Sequence, residues 1–245
     1  MALKIIDKKI VGEIYFLEEK LEGKIPVDRL ELLYLVNSWG RNKNIYIEAY
    51  NDNFIEIKKC KPNECYDLSK LDTSEIINMK QIFMFSNFNG DISNWNTSNV
   101  KKMNELFHCA IKFNGNINSW DTSKVTNMYG MFFKTELFNS PLNNWNTSNV
   151  VCTENMFWNA ISFDQNISSW NLENAVNCYC MFLNANAFMS KYNSGEDLSY
   201  YTDEIKEWLI NNREKMSDID LKDKYGKEID MFFNKFTDIN SINKI

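Results

Sequence analysis

One 25-residue phrase, written four times between Trp95 and Phe188, constrains this chain more than any other feature. In register, Trp95, Trp120, Trp145 and Trp170 form one column, and Val100, Val125, Val150 and Ala175 form the next. Behind them come Met103, Met128, Thr153 and Cys178, then Phe107, Phe132, Phe157 and Phe182. Small residues (Ala110, Thr135, Ala160, Ala185), aromatics (Phe113, Phe138, Phe163, Phe188) and aliphatics (Ile117, Leu142, Ile167) complete the unit. Repetition at this period is the mark of a solenoid, in which each unit contacts only its neighbours. A lone unit cannot stand, because ordering each backbone costs about 1–2 kcal/mol and half of its apolar surface would stay wet.

Within a unit, Asp121-Thr122-Ser123 follows Trp120 and turns the chain through side-chain bonds to its own backbone; Asn96-Thr97-Ser98 and Asn146-Thr147-Ser148 repeat the device. An extended piece runs through Val125. Met128, Met131, Phe132 and Thr135 then lie at i, i+3, i+4 and i+7, the spacing of a short helix. Phe138 leads into another extended stretch that ends at Trp145. An imperfect first coil starts at Leu71 with Asp72-Thr73-Ser74, Met79, Phe83, Phe88 and Ile92, one residue short between its phenylalanines. The array thus holds about five coils, over 67–195.

The flanks lack the period. Over 1–66, Ile10, Val11, Ile14, Tyr15 and Leu17 fall at helical spacing. So do Leu30, Leu33, Tyr34 and Val36, after a Pro26 suited to a first turn and before a Gly40 suited to a stop. IYIEAY, Asn51-Asp52-Asn53 and FIEIKKC read as a β-hairpin. Over 196–245, Thr202 is a candidate N-cap for a stripe of Ile205, Trp208 and Leu209; Ile229, Phe232, Phe233 and Phe236 form a second. The two flanks are expected to cap the array, because a stack with open ends would expose unpaired edges.

A net charge of −6 and a pI near 5.0, with no isolated lysine run, argue against capture of nucleic acid. No stretch approaches the roughly 20 apolar residues of a membrane span, and Asp7, Lys8 and Lys9 interrupt the start where an export signal would be apolar. The expectation is an intracellular chain with reduced thiols. Its cysteines, Cys60, Cys65, Cys109, Cys152, Cys178 and Cys180, hold no fixed place in the repeat, and neither close pair has zinc spacing. His108 beside Cys109 has no third group to orient it, and no glycine-rich phosphate loop occurs. The expectation is therefore no catalytic residue, no metal and no cofactor.

The phrase WDTSKVTNMYGMFFKTELFNSPL, Trp120 to Leu142, and its copies over 71 to about 190 resemble the BspA-like leucine-rich-repeat family of mycoplasma surface lipoproteins. Similar arrays occur in other bacteria, protists and giant DNA viruses. The resemblance implies an α/β repeat in the form of a right-handed, leucine-rich-repeat-like solenoid, and a role in attachment or protein recognition. It supplies no catalytic residues. Unlike the bacterial members, this sequence shows no lipid-attachment cysteine near its start, which favours an intracellular or viral setting over surface display.

The functional lead is the set of columns that vary while the core columns stay fixed. Asn104 and His108, Tyr129 and Phe133, Glu154 and Trp158, and Tyr179 and Leu183 are pairs four residues apart, on one side of the expected helix. Stacked, they make a stripe rich in aromatics. Tyr129, Phe133, Trp158 and Tyr179 are accordingly the candidate contacts for a protein partner. Two readings stand: a recognition face, or lateral packing between coils, with the exposure of Phe133 and Trp158 to separate them. Self-association into a virion or surface layer is the alternative function. The asparagines at coil corners, Asn114, Asn139 and Asn166 among them, either face a glycan or cap turns and form ladders along the stack.

Overall fold

The computed structural model describes residues 17–50, 53–57, 59, 61–62 and 65–193. Its regular elements follow in the order α1 (Leu17–Leu21), α2 (Arg29–Asn37), β1 (Ile45–Tyr50), β2 (Asn53–Ile57) and α3 (Asn186–Asn193). The helical stripe expected over Ile10–Tyr15, the cap expected over 196–245, and Cys60 lie outside the described residues.

Helix α2 begins at a capping box. Asp28 Oδ1 accepts the backbone N–H groups of Leu30 and Glu31 at 2.7 and 2.9 Å, and the Glu31 carboxylate accepts that of Asp28 at 2.9 Å. Pro26, expected inside the first turn, instead precedes the cap and forms an isolated parallel bridge with Asp72. Gly40 follows the helix at φ +76°, where an added Cβ would lie 2.6 Å from the Pro62 nitrogen, so conformation and space both require glycine. Strands β1 and β2 pair antiparallel, Ile45 opposite Ile57 and Ile47 opposite Ile55, as the alternating arms suggest.

The short helix expected over Met128–Thr135 is absent. In its place runs a ribbon of overlapping turns. Met131, Phe133 and Thr135 donate their N–H groups to the carbonyls of Met128, Gly130 and Phe132 at 3.2, 3.1 and 3.1 Å. The alternate residues Met128, Gly130, Phe132 and Lys134 donate instead to Cys152, Glu154, Met156 and Trp158 of the next coil, at 2.9, 2.8, 2.8 and 2.7 Å. Positive φ recurs at Gly130 (53°) and Lys134 (54°), each the third residue of its turn, the signature of a type II turn. Glu105 and Cys109, Asn155 and Asn159, and Cys180 and Asn184 repeat it in the other coils. Because positive φ returns every four residues, the buried side chains are Met128, Met131, Phe132 and Thr135. The ribbon therefore buries the same positions that a helix would. Asn78, Lys102, Asn127, Cys152 and Asn177 are joined in sequence by single parallel bridges, and no longer strand forms in the described part of the repeats.

Side chains in register meet through the interior. Trp95 and Trp120 stack at 6.1 Å and 3°, as do Trp145 and Trp170 at 6.1 Å and 4°. Phe107, Phe132, Phe157 and Phe182 stack in sequence at 5.7, 5.3 and 5.5 Å. Each buried indole also donates its N–H to a carbonyl of the preceding coil: Trp95 to Leu68, Trp120 to Ile92, Trp145 to Ile117 and Trp170 to Leu142, at 2.8–3.0 Å. The threonines bond in the other direction. Thr73, Thr97, Thr122 and Thr147 donate to Asn96, Asp121, Asn146 and Asn171 of the following coil at 2.9–3.0 Å. Leu172 holds that position in the last described coil and brings no donor.

Thr153 breaks the methionine column: it is fully buried, and its hydroxyl lacks a hydrogen-bond partner. A buried unsatisfied hydroxyl costs about 1–3 kcal/mol. Thr153→Val is therefore expected to raise stability by about 1 kcal/mol in urea denaturation, and a loss of stability would show that the hydroxyl is bonded.

The first coil has no preceding coil to bond to, and two arginines take that role. Arg29 Nη1 and Nη2 donate to the carbonyls of Asn78 and Lys80 at 2.9 and 2.7 Å. Arg41 donates likewise to Met84 and, at 2.7 Å, to Ile82. In the second and third coils the corresponding alternate carbonyls receive backbone N–H groups from the coil before. Two planar forks from α2 and the turn after it thus replace one row of amides, which accounts for the burial of Arg29 and Arg41.

Candidate functional site

The variable columns stand on the outer side of the turn ribbon. Tyr129 and Glu154 are half-buried, and Tyr179 is 36% exposed. Burial raises the Tyr129 phenol above its ordinary value; a hydrogen bond with Asn155 opposes this, and the carboxylates of Glu105 and Glu154 reinforce it. Glu154, between the two tyrosines in register, accepts a hydrogen bond from Asn177 Nδ2 at 2.6 Å. This column is alternately aromatic and polar, so Tyr129 and Tyr179 belong to coils separated by another.

The second column is continuous. Phe85 meets the His108 ring edge-on at 5.6 Å, His108 stacks on Phe133 at 4.4 Å and 3°, and Phe133 meets Trp158 edge-on at 5.4 Å. Phe133 and Trp158 are half-buried: they pack along the stack and also keep a side to solvent. Lateral packing between coils is thus what these rings do in the structure, and the side left to solvent is the surface a recognition face would use. Two members escaped the sequence. Phe85 stands in the positive-φ column of Cys109 and Lys134, one place past that of His108 and Phe133, and Lys43, whose Nζ stands 5.2 Å from the Phe85 centroid, comes from outside the repeat. Lys134 Nζ lies 5.6 Å from the Phe133 centroid.

His108 is held neutral here. Burial, then the Lys134 and Lys43 ammonium groups, push its pKa down to about 4, and its Nδ1 is buried without a hydrogen-bond partner. Burial pushes the adjacent Cys109 thiol up to about 11. These shifts are opposite to those of an imidazolium–thiolate pair, and both groups are disfavoured in the charged forms such a pair requires. Among the described residues no group of three His, Cys, Asp or Glu gathers as a metal site, and no disulfide joins the described cysteines. No helix among them is long and apolar enough to cross a membrane.

A pH dependence follows. The folded pKa of His108 lies below its ordinary 6.5, so its contribution is complete above that value and is lost as the pH falls from 6.5 toward 4. The loss should reach about 3 kcal/mol. Asp67, Asp91 and Asp121, held below the usual carboxylate range by hydrogen bonds from Ser69, Ser93 and Ser123, lose theirs only at lower pH. His108→Phe should flatten the melting temperature between pH 6.5 and 4; an unchanged slope would place the titrating group elsewhere.

The corner asparagines tie coils together. Asn89, Asn114 and Asn139 each accept, through Oδ1, the backbone N–H 25 residues on, at 2.8, 2.8 and 2.9 Å. Asn166 instead turns the chain, accepting the Ser168 N–H at 2.9 Å. Ladder and turn geometry thus occupy the Oδ1 atoms of these amides.

A family described as "Mycoplasma protein of unknown function, DUF285" matches residues 51–160, 84–195 and 117–232 in three overlapping passes. The chain belongs to the DUF285 family. Overlapping matches of one family to one chain are the outcome that internal repetition produces, and they extend over the stacked coils of this DUF285 protein. No curated protein and no solved structure matches the chain.

Proposed function

We propose that this DUF285 chain is a non-enzymatic recognition protein, a right-handed solenoid of the BspA-like, leucine-rich-repeat type that meets a protein partner through its turn ribbon. One observation carries the reading: the inward tryptophan and phenylalanine columns keep their residue in successive coils, while the outward ones change from Asn104 to Tyr129, Glu154 and Tyr179, and from His108 to Phe133, Trp158 and Leu183. A ribbon whose amides bond within its turns or to the next coil holds those side chains rigidly, so little ordering entropy is lost on binding. Phe133→Ala and Trp158→Ala should abolish partner capture from native-source lysate while the chain stays folded, with a smaller drop in melting temperature than that of the fully buried Phe157→Ala. Capture equal to wild type would refute the reading. Self-association is the second reading, favoured by Val151 and Val176, 42% and 81% exposed on adjoining coils. Light scattering that shows a monomer throughout a dilution series would remove it.

A further inference from the structure

The ladder of Phe85, His108 and Phe133 has a charge as well as an apolar surface. Lys43 reaches it from the turn after α2 and Lys134 from the third coil, one ammonium at each end. Both lie close enough to His108 to disfavour its protonation, and close enough to act on Cys109; the carboxylate of Glu136 also acts on Cys109. No salt bridge ties either lysine to a carboxylate among the described residues. Two cations are thus held about one imidazole on a chain of net charge −6, beside a buried Nδ1 that lacks a partner. Each ammonium adds positive potential to the same ladder of rings, which an anion seated there would complement.

We infer that this ladder seats an acidic side chain of the partner protein, its carboxylate between Lys43 and Lys134 and the apolar residues flanking it against Phe85 and Phe133. The inference rests on the recognition reading above and adds the partner's chemistry. A protein carboxylate suits the place better than a nucleic acid, because a phosphate backbone needs a track of cations and here two stand among aromatic rings. The aliphatic stem of a glutamate fits the ring edges as its head meets the ammonium groups.

The test uses the full chain and isothermal titration calorimetry with two synthetic peptides, one alternating leucine and glutamate, the other leucine and glutamine. Binding of the acidic peptide is expected, at least tenfold weaker for the glutamine peptide and for Lys43→Glu/Lys134→Glu, and weaker in salt. The His108 titration midpoint, followed by NMR, should rise when the acidic peptide binds. Lys43→Gln/Lys134→Gln provides the same comparison if the reversed charges unsettle the fold. Equal binding of the two peptides, no binding of either, or binding indifferent to both lysine pairs would overturn the inference. The two readings can fail separately. Partner capture lost in Phe133→Ala but kept in the lysine variants leaves the recognition face standing and removes the acidic partner; capture kept in every variant removes both.

Discussion

Phe157→Ala is expected to lower stability by about 3–5 kcal/mol, among the largest single-site losses in this chain. The ring is fully buried and touches others on every side: Phe132 at 5.3 Å, Phe182 at 5.5 Å, Phe163 at 4.0 Å and Trp170 at 6.2 Å. Removing it opens a cavity between three coils, where the neighbours cannot collapse because inter-coil hydrogen bonds fix their spacing. In a stack the damage is also directional, since each coil is supported by the one beside it. Guanidinium denaturation should show a lowered midpoint together with a shallower slope as the fourth coil uncouples. A midpoint shift no larger than that of the exposed control Lys112→Ala would mean that Phe157 is not a core residue.

Arg41→Ala is the second large effect, about 3–5 kcal/mol from two charge-assisted hydrogen bonds. Its guanidinium is 1% exposed and bonds the carbonyls of Ile82 and Met84, which take no amide from a preceding coil. Truncation leaves both carbonyls dry and unpaired. Arg41→Lys should recover less than half of the loss, because a single ammonium cannot span two carbonyls in the plane of a fork. Recovery to wild-type stability in the lysine variant would show that charge alone matters at this edge.

How far the sequence could be read depends on which atoms carry the information. The columns of tryptophan, phenylalanine and threonine are side-chain facts, and they stack as their register implies. The Asx turns at Asp121 and Asn146 are equally local: each side chain accepts an amide two residues on. The helix expected over Met128–Thr135 was misread because i, i+3, i+4, i+7 is also the buried set of a turn ribbon with positive φ every fourth residue. Gly130, Asn155, Asn159 and Asn184 occupy such φ positions and are residue types that tolerate them, but Glu105, Cys109, Lys134 and Cys180 hold the same positions in register, so the sequence carried only part of the correction. Arg29 and Arg41 carried no such signal, since nothing in residue spacing tells that a side chain from outside the repeat will serve as a missing backbone. The same holds for Lys43 over Phe85, one half of the charged ladder.

Crosslinking at a chosen register tests the stacking most directly. Asn127 and Cys152 are bridge partners in parallel coils, about 4.8 Å apart, inside the range that a disulfide can close. Under mild oxidation Asn127→Cys should link to Cys152, a product read as one joined pair of tryptic peptides by mass spectrometry, while Lys124→Cys, three residues out of register, should not. Failure of the first to link, or equal linking by both, would contradict a stack of coils joined residue to residue.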